Sequence, residues 1–301
     1  MTELRTAWRR LLARPGYTAL SVAVLGMGLG AMLFLLTAVN GLILEPLPFP
    51  DSERLVSVGF QREGNSNVGA MSSADYVLLE PELRSYEAIG GYSQMTVVLS
   101  LRAGPKRYEG AALSHQMLPL LGAQPVLGRP FTAEDERPGS APVLLLGHDV
   151  WRDDFAADPA VVGSAVRVNG QSGTVVGVMP PEFGFPQRQS VWLARRAYAG
   201  SDFYHQMLAR LRPDVTLAQA RAELDAVGAT LGRQLEGLAG DSRLVNQPLH
   251  FSFVDATTRG LVWMMFAAGL LVLLLACANV ANLQLSQVLS RRRELAVRSA
   301  L

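Results

Sequence analysis

The sequence predicts a membrane protein in which two transmembrane helices flank a mixed α+β external domain. Two long runs, residues 15–44 and 260–290, contain no Asp, Glu, Lys or Arg. The segment between them alternates irregularly between helical and β patterns, which is typical of the α+β class. Basic clusters adjoin both apolar runs, whereas the middle of the chain is acidic. These three observations predict the order helix, external domain, helix along the chain.

Charge falls into three blocks along the chain. Residues 1–44 contain four Arg and one Glu, and residues 261–301 again contain four Arg and one Glu. Residues 45–260 contain 19 Lys and Arg against 24 Asp and Glu. Because basic residues mark the cytoplasmic ends of membrane spans, we expect both termini in the cytoplasm and residues 45–260 on the outside.

The N-terminal residues 1–14 are predicted to form a cytoplasmic amphipathic helix. Their arginines share one face, and the apolar residues recur at helical spacing on the other: Leu4, Ala7, Trp8, Leu11 and Leu12. Such a helix lies in the membrane interface; a soluble helix that packs on a partner is the alternative. Residues 15–44 follow as transmembrane helix 1, because a bilayer core requires about 20 apolar residues.

Gly26 and Gly30 lie within this first apolar run and form a G-x-x-x-G pair. Gly26, Gly28 and Ala31 also match a loose dinucleotide fingerprint, but that motif requires a preceding strand within a βαβ unit. In a membrane helix, small residues at this spacing allow two helix backbones to approach closely. We therefore predict helix packing at Gly26 and Gly30, and no nucleotide site.

Residues 45–260 are predicted to form one external domain. The Pro-rich segment Glu45–Pro50 gives a stiff exit from the first span, since proline fixes φ. Asn169-Gly170 is a strong hairpin signal, and Thr216 with Gln219 forms a capping box that opens a helix to about Leu238. Predicted strands are Leu55–Phe60, Gln94–Leu101, Arg107–Leu113, Val143–Leu146, Ala165–Val168, Ser172–Met179, Ser190–Leu193, Tyr204–Leu211 and Leu249–Val254. Predicted short helices are Ser73–Leu79, Pro81–Tyr86, His115–Leu121 and His148–Phe155.

Residues 261–287 are predicted as transmembrane helix 2, and residues 288–301 as its cytoplasmic helical continuation. Asn279 and Asn282 are amides near the cytoplasmic end of this span. Such amides usually hydrogen-bond a neighbouring helix, and a substrate pathway is the alternative. The helical pattern continues to Leu301, so we expect this chain to be the front part of a longer protein.

No arrangement of residues points to catalysis, a metal or a cofactor. His148 and Asp153 are five residues apart, beyond the spacing that places two ligands on one helical face, so a solvated helix face is expected there. Cys277 is the one cysteine and Lys106 the one lysine, which excludes an intramolecular disulfide and a P-loop ATPase. Basic patches interleaved with aromatic residues are absent, so nucleic acid is not expected as a partner.

Several motifs in order resemble those of one family of membrane proteins. LLACANVANL at 274–283 and RRRELAVR at 291–298 resemble the opening of the FtsX-like permease domain. RPGY at 14–17 and EPLPFPDSERL at 45–55 resemble the start of the MacB-like periplasmic core domain. Further segments of the same likeness are LGRPF at 127–131, VVGVMP at 175–180 and LARLRPDVTLAQA at 208–220. The likeness covers essentially the whole chain, and the duplicated orphan permeases, which lack a fused ATPase, are the most similar variety.

The resemblance implies a permease subunit of an ABC transporter in a bacterial inner membrane, with residues 45–260 in the periplasm as a porter-like part plus a sabre-like lobe. It also implies a separate ABC ATPase subunit that binds ATP, a second permease half or a homodimer, and membrane lipids as partners. A signalling scaffold that regulates a periplasmic enzyme without transport is the alternative. The residues expected to couple to the ATPase are Arg291, Arg292, Arg293, Glu294 and Arg298; lipid headgroup contact is their other possible use.

Overall fold

The computed structural model describes residues 15–40, 47–65, 67–101, 104–137, 139–195, 204–238, 241–253 and 256–298. The chain divides into two compact units. One contains residues 1–45 and 254–301, and the other, the external domain, is Pro46–Phe253. The predicted amphipathic helix at residues 1–14 lies outside the described residues.

The described elements follow one another in irregular order, as expected for an α+β domain between helices. The helices are α1 (Pro15–Val39), α2 (Ser73–Leu79), α3 (Met117–Leu121), α4 (His148–Asp154), α5 (Leu217–Leu231), α6 (His250–Phe253) and α7 (Ala256–Arg298). The strands are β1 (Leu55–Arg62), β2 (Met71–Ser72), β3 (Tyr86–Leu101), β4 (Gly104–Leu113), β5 (Leu127–Gly128), β6 (Val143–Leu146), β7 (Ala165–Val168), β8 (Gln171–Val178), β9 (Val191–Ala194), β10 (Tyr204–Leu211) and β11 (Ser242–Pro248).

One continuous sheet runs through the external domain in the order β11-β1-β10-β3-β4-β9-β6-β8-β5. Strand β3 is 16 residues long and belongs to two halves of this sheet. Its first half pairs antiparallel with β10, and its second half pairs with β4 and, at the end, with β7. We call the β11, β1, β10 and early β3 side lobe A, and the side from late β3 to β5 lobe B.

Lobe A is a sheet covered by helices α2 and α5. Alternate residues of β1 point into its core, including Val56 and Val58, which are about 1% exposed. Helix α5 begins at the predicted capping box, in which Thr216 and Gln219 bond reciprocally, and it buries Ala220 and Leu224 against the same core. The capping box therefore sets where α5 starts, and the apolar stripe sets which face packs.

Lobe B contains the predicted hairpin of β7 and β8, whose turn is Asn169-Gly170 with positive φ at both residues. Strand β6 pairs parallel with β8 and antiparallel with β9, and all four of its residues are buried. A third cluster of buried residues joins the lobes: it includes Leu55 and Leu208 of lobe A, Trp192 of lobe B and the apolar residues of α3. The two lobes therefore share one sheet and one central core.

Several sequence predictions for the external domain were wrong in part. Within the predicted strand Leu249–Val254, residues His250–Phe253 form the short helix α6 instead, and the last strand is Ser242–Pro248. This strand lies at the edge of the sheet, antiparallel to β1, and buries Leu244, Val245 and Asn246. The predicted helix Pro81–Tyr86 is only a 3-10 turn at Glu80–Glu82, and β3 already begins at Tyr86.

Helix α5 ends at Leu231, short of the predicted Leu238. Gly232 follows it directly, and a separate 3-10 turn covers Glu236–Leu238. Glycine is among the weakest helix formers, so the helix stops at this point, while Leu235 beyond it is still buried against the lobe A core.

Helices α1 and α7 pack against each other within the other unit. A Cβ on Gly28 would lie 3.3 Å from the Leu273 side chain, and a Cβ on Gly269 would lie 2.8 Å from that of Leu35. These two glycines therefore permit the close approach of the helices. Both helices keep large apolar side chains exposed on their other faces, such as Phe34 at 71% and Leu271 at 66%.

Candidate functional site

The predicted glycine pair of α1 does not serve the helix contact within this chain. A Cβ on Gly26 or Gly30 would meet nothing within 4 Å, and both glycines are exposed. Successive residues advance about 100° around a helix of 3.6 residues per turn, so Gly28 faces α7 while Gly26 and Gly30 face away. Packing of Gly26 and Gly30 against a helix outside this chain stays a prediction.

Helix α7 carries the other predicted site residues. It is 43 residues long and runs without a break from Ala256 to Arg298. The following residues lie on its backbone, but their side chains lie outside the described part of the structure: Asn279, Asn282, Arg291, Arg292, Arg293, Glu294 and Arg298. Their roles in packing and in coupling therefore stay predictions.

Among the residues that the structure describes, one stretch of helix, Thr257–Ala278, is long and apolar enough to cross a membrane by its length and composition. It begins and ends earlier than the predicted span 261–287. Gly26–Thr37 in α1 is a shorter apolar stretch, and residues 41–46 lie outside the described part. Transmembrane helix 1 over residues 15–44 therefore stays a prediction.

The first linker, residues 47–51, leads from the first apolar run into β1 and is held by the central core. Leu47 and Phe49 pack against that core. The Phe49 ring meets the Phe185 ring edge-on at 5.9 Å between centroids, and Phe185 meets Tyr92 of β3 at 4.9 Å. The Arg210 guanidinium of β10 donates to the carbonyl oxygens of Pro50 at 3.0 Å and Asp51 at 3.3 Å.

The second linker, residues 249–253, leads from β11 towards α7 and is held by β1. Leu249 is fully buried, and its N–H donates to the Leu55 carbonyl at 2.9 Å. The hydroxyls of Ser252 and Ser57 are 2.6 Å apart, and Ser252 also accepts from Gln247 at 3.2 Å. The first linker therefore leads into β1 and the second leaves from β11. These two strands pair along seven residue positions, from Val56↔Pro248 to Arg62↔Ser242.

A buried polar cluster lies around Gly91, where β3 passes from lobe A to lobe B. A Cβ at Gly91 would lie 3.3 Å from Arg195 Nη1, 3.6 Å from the Tyr76 ring and 3.7 Å from the Cβ of His205. The Arg195 guanidinium stacks on Tyr76 at 4.4 Å from the ring centroid, a cation–π contact. Arg195 follows β9, whereas Tyr76 is on α2 and His205 on β10, so this contact joins lobe B to lobe A.

Glu136 neutralises the cluster from the lobe B side. Its carboxylate accepts from Arg195 Nη2 at 3.2 Å and lies 2.9 Å from His115 Nδ1. It also accepts a short hydrogen bond from the His115 backbone N–H. The Arg195 side chain is 18% exposed, and pairing with Glu136 offsets the cost of removing its charge from water.

Burial governs the ionisation of the two most enclosed members of the cluster. His205 is 4% exposed, and its Nε2 lies 2.9 Å from the Ser73 hydroxyl. Burial first, and the Arg195 charge second, lower the pKa of His205 from 6.5 to about 4. Burial, followed by the Glu80 carboxylate, raises the pKa of Tyr76. His205 is therefore neutral at ordinary pH, and the contacts of Arg195 with Tyr76 and Glu136 link lobe A to lobe B.

On the predicted solvated face, the Asp153 side chain is 57% exposed and pairs with Arg152, whereas the neighbouring His148 and Asp154 are half-buried. Asp154 accepts from Lys106 at 2.8 Å and from the Tyr108 hydroxyl at 2.7 Å. The His148 ring meets the Trp151 ring edge-on at 5.5 Å. Within the described ranges, no three His, Cys, Asp or Glu side chains group in a way that would hold a metal ion.

Along the chain, the mixed α+β unit Pro46–Phe253 lies between helices α1 and α7. Residues 18–227 match the sequence profile of the MacB-like periplasmic core domain. Because the match covers well over half of the chain, this protein belongs to the family of MacB-like periplasmic core domains. The predicted resemblance to MacB-like permeases is thereby confirmed. The FtsX-like segments at 274–283 and 291–298 lie outside the matched residues, and that part of the resemblance stays a prediction.

Individual relatives agree with this assignment. The macrolide export ATP-binding/permease protein MacB of Rhodospirillum rubrum is 27% identical over 180 residues, which cover 56% of this chain and 26% of that protein. The match thus spans about a quarter of the length of the curated relative.

Two solved structures share the fold. The periplasmic region of MacB from Actinobacillus actinomycetemcomitans matches with a TM-score of 0.53 and 14% identity, over 72% of this chain and 99% of that one. The extracellular domain of the noncanonic ABC-type transporter YknZ from Gram-positive bacteria matches with a TM-score of 0.50 and 11% identity, over 64% of this chain and 99% of that one. At these identities the likeness concerns the fold alone.

Proposed function

We propose that this protein is a permease subunit of a MacB/FtsX-type ABC transporter. In this proposal a separate ATPase hydrolyses ATP in the cytoplasm, and the chain converts the closure of that ATPase into a conformational change of the periplasmic domain that extrudes a substrate. The chain itself contributes no catalytic residue and binds no cofactor. Lobe A is the porter-like part, lobe B is the sabre-like lobe, and a second permease half or a second copy completes the assembly.

The unbroken length of α7 is the observation that carries this proposal. Its 43 residues extend about 64 Å at 1.5 Å per residue, roughly twice the 30 Å of a bilayer core. From Ala278, where the apolar stretch ends, to Arg291 the helix advances about 20 Å more. A continuous helix transmits a displacement along its axis, because every backbone hydrogen bond in it resists bending.

The membrane arrangement supports the same function. Arg5, Arg9, Arg10 and Arg14 precede the first apolar run, and four more arginines follow the second. Under the positive-inside rule both ends are cytoplasmic and residues 45–260 are periplasmic in a bacterial inner membrane. The cytoplasmic end of α7 then presents Arg291, Arg292, Arg293, Glu294 and Arg298 to the ATPase and to lipid headgroups.

Charge reversal at Glu294 tests the coupling role of this segment. We expect Glu294→Arg in the full-length protein to lower co-purification of the ATPase, or its stimulated hydrolysis, while membrane insertion stays normal. Insertion is expected to persist because the change adds positive charge on the cytoplasmic side. Ser290→Arg, which adds one positive charge and keeps the Glu294 carboxylate, is the control for added basic charge; Glu294→Arg changes the charge by two units because it also removes the carboxylate.

The control separates docking from simple electrostatics. If Glu294→Arg and Ser290→Arg both retain wild-type association and hydrolysis, the segment is a topology anchor and the coupling role is refuted. An intact association without movement of any substrate, together with altered activity of a periplasmic enzyme, would favour the signalling scaffold instead.

A further inference from the structure

We propose that Arg210 is the positioning residue that makes the first linker a rigid connection, so that displacement of α1 reaches the central core of the external domain. This inference rests on the proposed function, because it assigns the step by which helix movement enters the domain. Arg210 lies on β10, far along the chain from the linker, and touches it only because the strand ends beside residues 50 and 51.

Arg210 is a buried cation that has no carboxylate within hydrogen-bonding distance in the described structure. Its side chain is 10% exposed, and the nearest acidic oxygen, Asp51 Oδ2, is 3.7 Å away on a residue that is 65% exposed. The guanidinium instead donates to three carbonyl oxygens, those of Pro50, Asp51 and Leu120. Burying a charge is costly unless its donors are satisfied, so the three carbonyls must stay in place around it.

The three acceptors come from two separate segments. Pro50 and Asp51 end the first linker, whereas Leu120 is in the last turn of α3, where helix carbonyls lack intrahelical partners. The bond to Leu120 is 2.6 Å long. The planar fork of an arginine presents several donors in fixed directions, and here it joins the linker to α3. A neutral side chain of the same length would leave all three carbonyls without this donor.

Backbone geometry at the junction shows that the fit is close. Asp51 adopts the left-handed conformation with φ of 48°, which turns its carbonyl towards Arg210. Gly122, which ends α3, has φ of +66°, and a Cβ there would lie only 2.7 Å from the Pro50 ring. Pro50 therefore sits directly against the end of α3, and a side chain at position 122 would meet the Pro50 ring.

The linker itself is built to resist deformation. Pro48 and Pro50 fix φ at two of its five positions, and Pro-rich segments act as semi-rigid spacers. Phe49 packs edge-on against Phe185, which ties the linker to lobe B. A stiff segment transmits a displacement only if its far end is fixed, and Arg210 is the group that fixes it to α3.

The test measures the rigidity of this connection in the full-length protein in lipid nanodiscs. Spin labels at Thr37→Cys in α1 and Glu109→Cys in β4, in a Cys277→Ala background, report a distance distribution by pulsed electron paramagnetic resonance. Both sites are exposed. We expect Arg210→Met to broaden the distribution, because methionine keeps an apolar stem but donates no hydrogen bond. Arg212→Met, an exposed arginine two residues along, is the matched control and should leave the width unchanged.

Hydrogen exchange provides the local readout in the same sample. In Arg210→Met, amides of residues 47–54 and 117–123 should exchange about tenfold faster, which corresponds to about 1.4 kcal/mol. Amides of β9 should keep their wild-type rates. Faster exchange throughout the domain would show that Arg210 is a general stabiliser, and unchanged exchange at the linker would show that it holds nothing; either result overturns the proposal.

A disulfide rescue makes the test independent of how well Arg210→Met folds. The Cβ of Pro50 lies 3.7 Å from an ideal Cβ at Gly122, within the range of about 3.5–4.5 Å for disulfides. Pro50→Cys with Gly122→Cys therefore replaces the lost connection by a covalent one, probed by exchange alone in the Cys277→Ala background. Oxidation should restore slow exchange at residues 117–123 of Arg210→Met, and reductant should remove it again.

The rescue also separates this inference from the proposed function. If the oxidised protein exchanges as fast as the reduced one, the connection between the linker and α3 does not depend on Arg210, and the inference fails. If the rescue succeeds but no ATPase associates with the protein, the anchor stands and the transporter function fails.

Discussion

Acid should destabilise the external domain through His205, and the structure sets the size of the effect. This imidazole is 4% exposed and is held neutral, with a pKa of about 4 in the folded domain against 6.5 ordinarily. Between these values the unfolded chain binds a proton that the folded domain does not, so stability falls as the pH falls. The loss begins near pH 6.5 and is complete below about pH 4. At 1.36 kcal/mol for each pKa unit, the total is about 3 kcal/mol.

Urea unfolding of Pro46–Phe253, followed by circular dichroism at about pH 7 and about pH 4, measures this loss. His205→Gln removes the titrating ring but keeps the carboxylates. The loss of unfolding free energy in wild type, minus the loss in the variant, is therefore the contribution of His205. We expect wild type to lose about 3 kcal/mol more than the variant over this interval. Equal losses in the two proteins would show that His205 is already protonated at neutral pH or is exposed in the folded domain, and would refute the reasoning.

Two further substitutions test the packing of lobe A in the same fragment. Leu224→Ala should lower the free energy of unfolding by about 2–5 kcal/mol, because the side chain is fully buried. The control is Leu217→Ala, a half-buried position on the same helix, which should cost clearly less. Equal costs would mean that the buried face of the helix is misassigned. Asp75→Ala should cost about 1–3 kcal/mol, because the buried carboxylate accepts from the backbone N–H groups of Glu236 and Gly237 at 2.8 and 3.1 Å and both part-buried donors would lose this partner. Asp75→Asn keeps one acceptor oxygen and should lie between the two, and a urea midpoint that is the same in all three proteins would contradict that account.

Local signals in the sequence were sufficient for most elements of the external domain. The Asn169-Gly170 turn and the Thr216 capping box depend on residues within a few positions of one another, and both are confirmed. Strand β3 was predicted to start at Gln94, not Tyr86, because Gly90 and Gly91 interrupt the β pattern. Those glycines are required by tertiary packing: a Cβ at Gly90 would lie 2.6 Å from Met117 Sδ, and one at Gly91 would approach Arg195.

Arg210 and Arg195, which link distant parts of the chain, have no comparable local signal in the sequence. Arg210 donates to backbone carbonyls about 90 and 160 positions away, and any residue type offers a carbonyl, so no motif marks its partners. The same holds for Arg195, whose partners Tyr76 and Glu136 come from different lobes. The sequence did predict the stiffness of Glu45–Pro50 from its prolines, but not what holds the end of that segment. Side chains at Asn279, Asn282 and the Arg291 cluster remain untested by the described structure.

The pairing of β1 has a consequence for the order in which the domain folds. Val56 of β1 pairs with Ala209 of β10 and with Pro248 of β11, so its partners are synthesised some 150 to 190 residues later. Lobe B, by contrast, is almost entirely local, with β4 to β9 contained within residues 104–194. Contacts between distant residues form slowly because a long loop must first close. Lobe B therefore assembles while β1, with its apolar Val56, Val58 and Phe60, still lacks partners, and during that interval β1 is the segment of the nascent domain most exposed to aggregation.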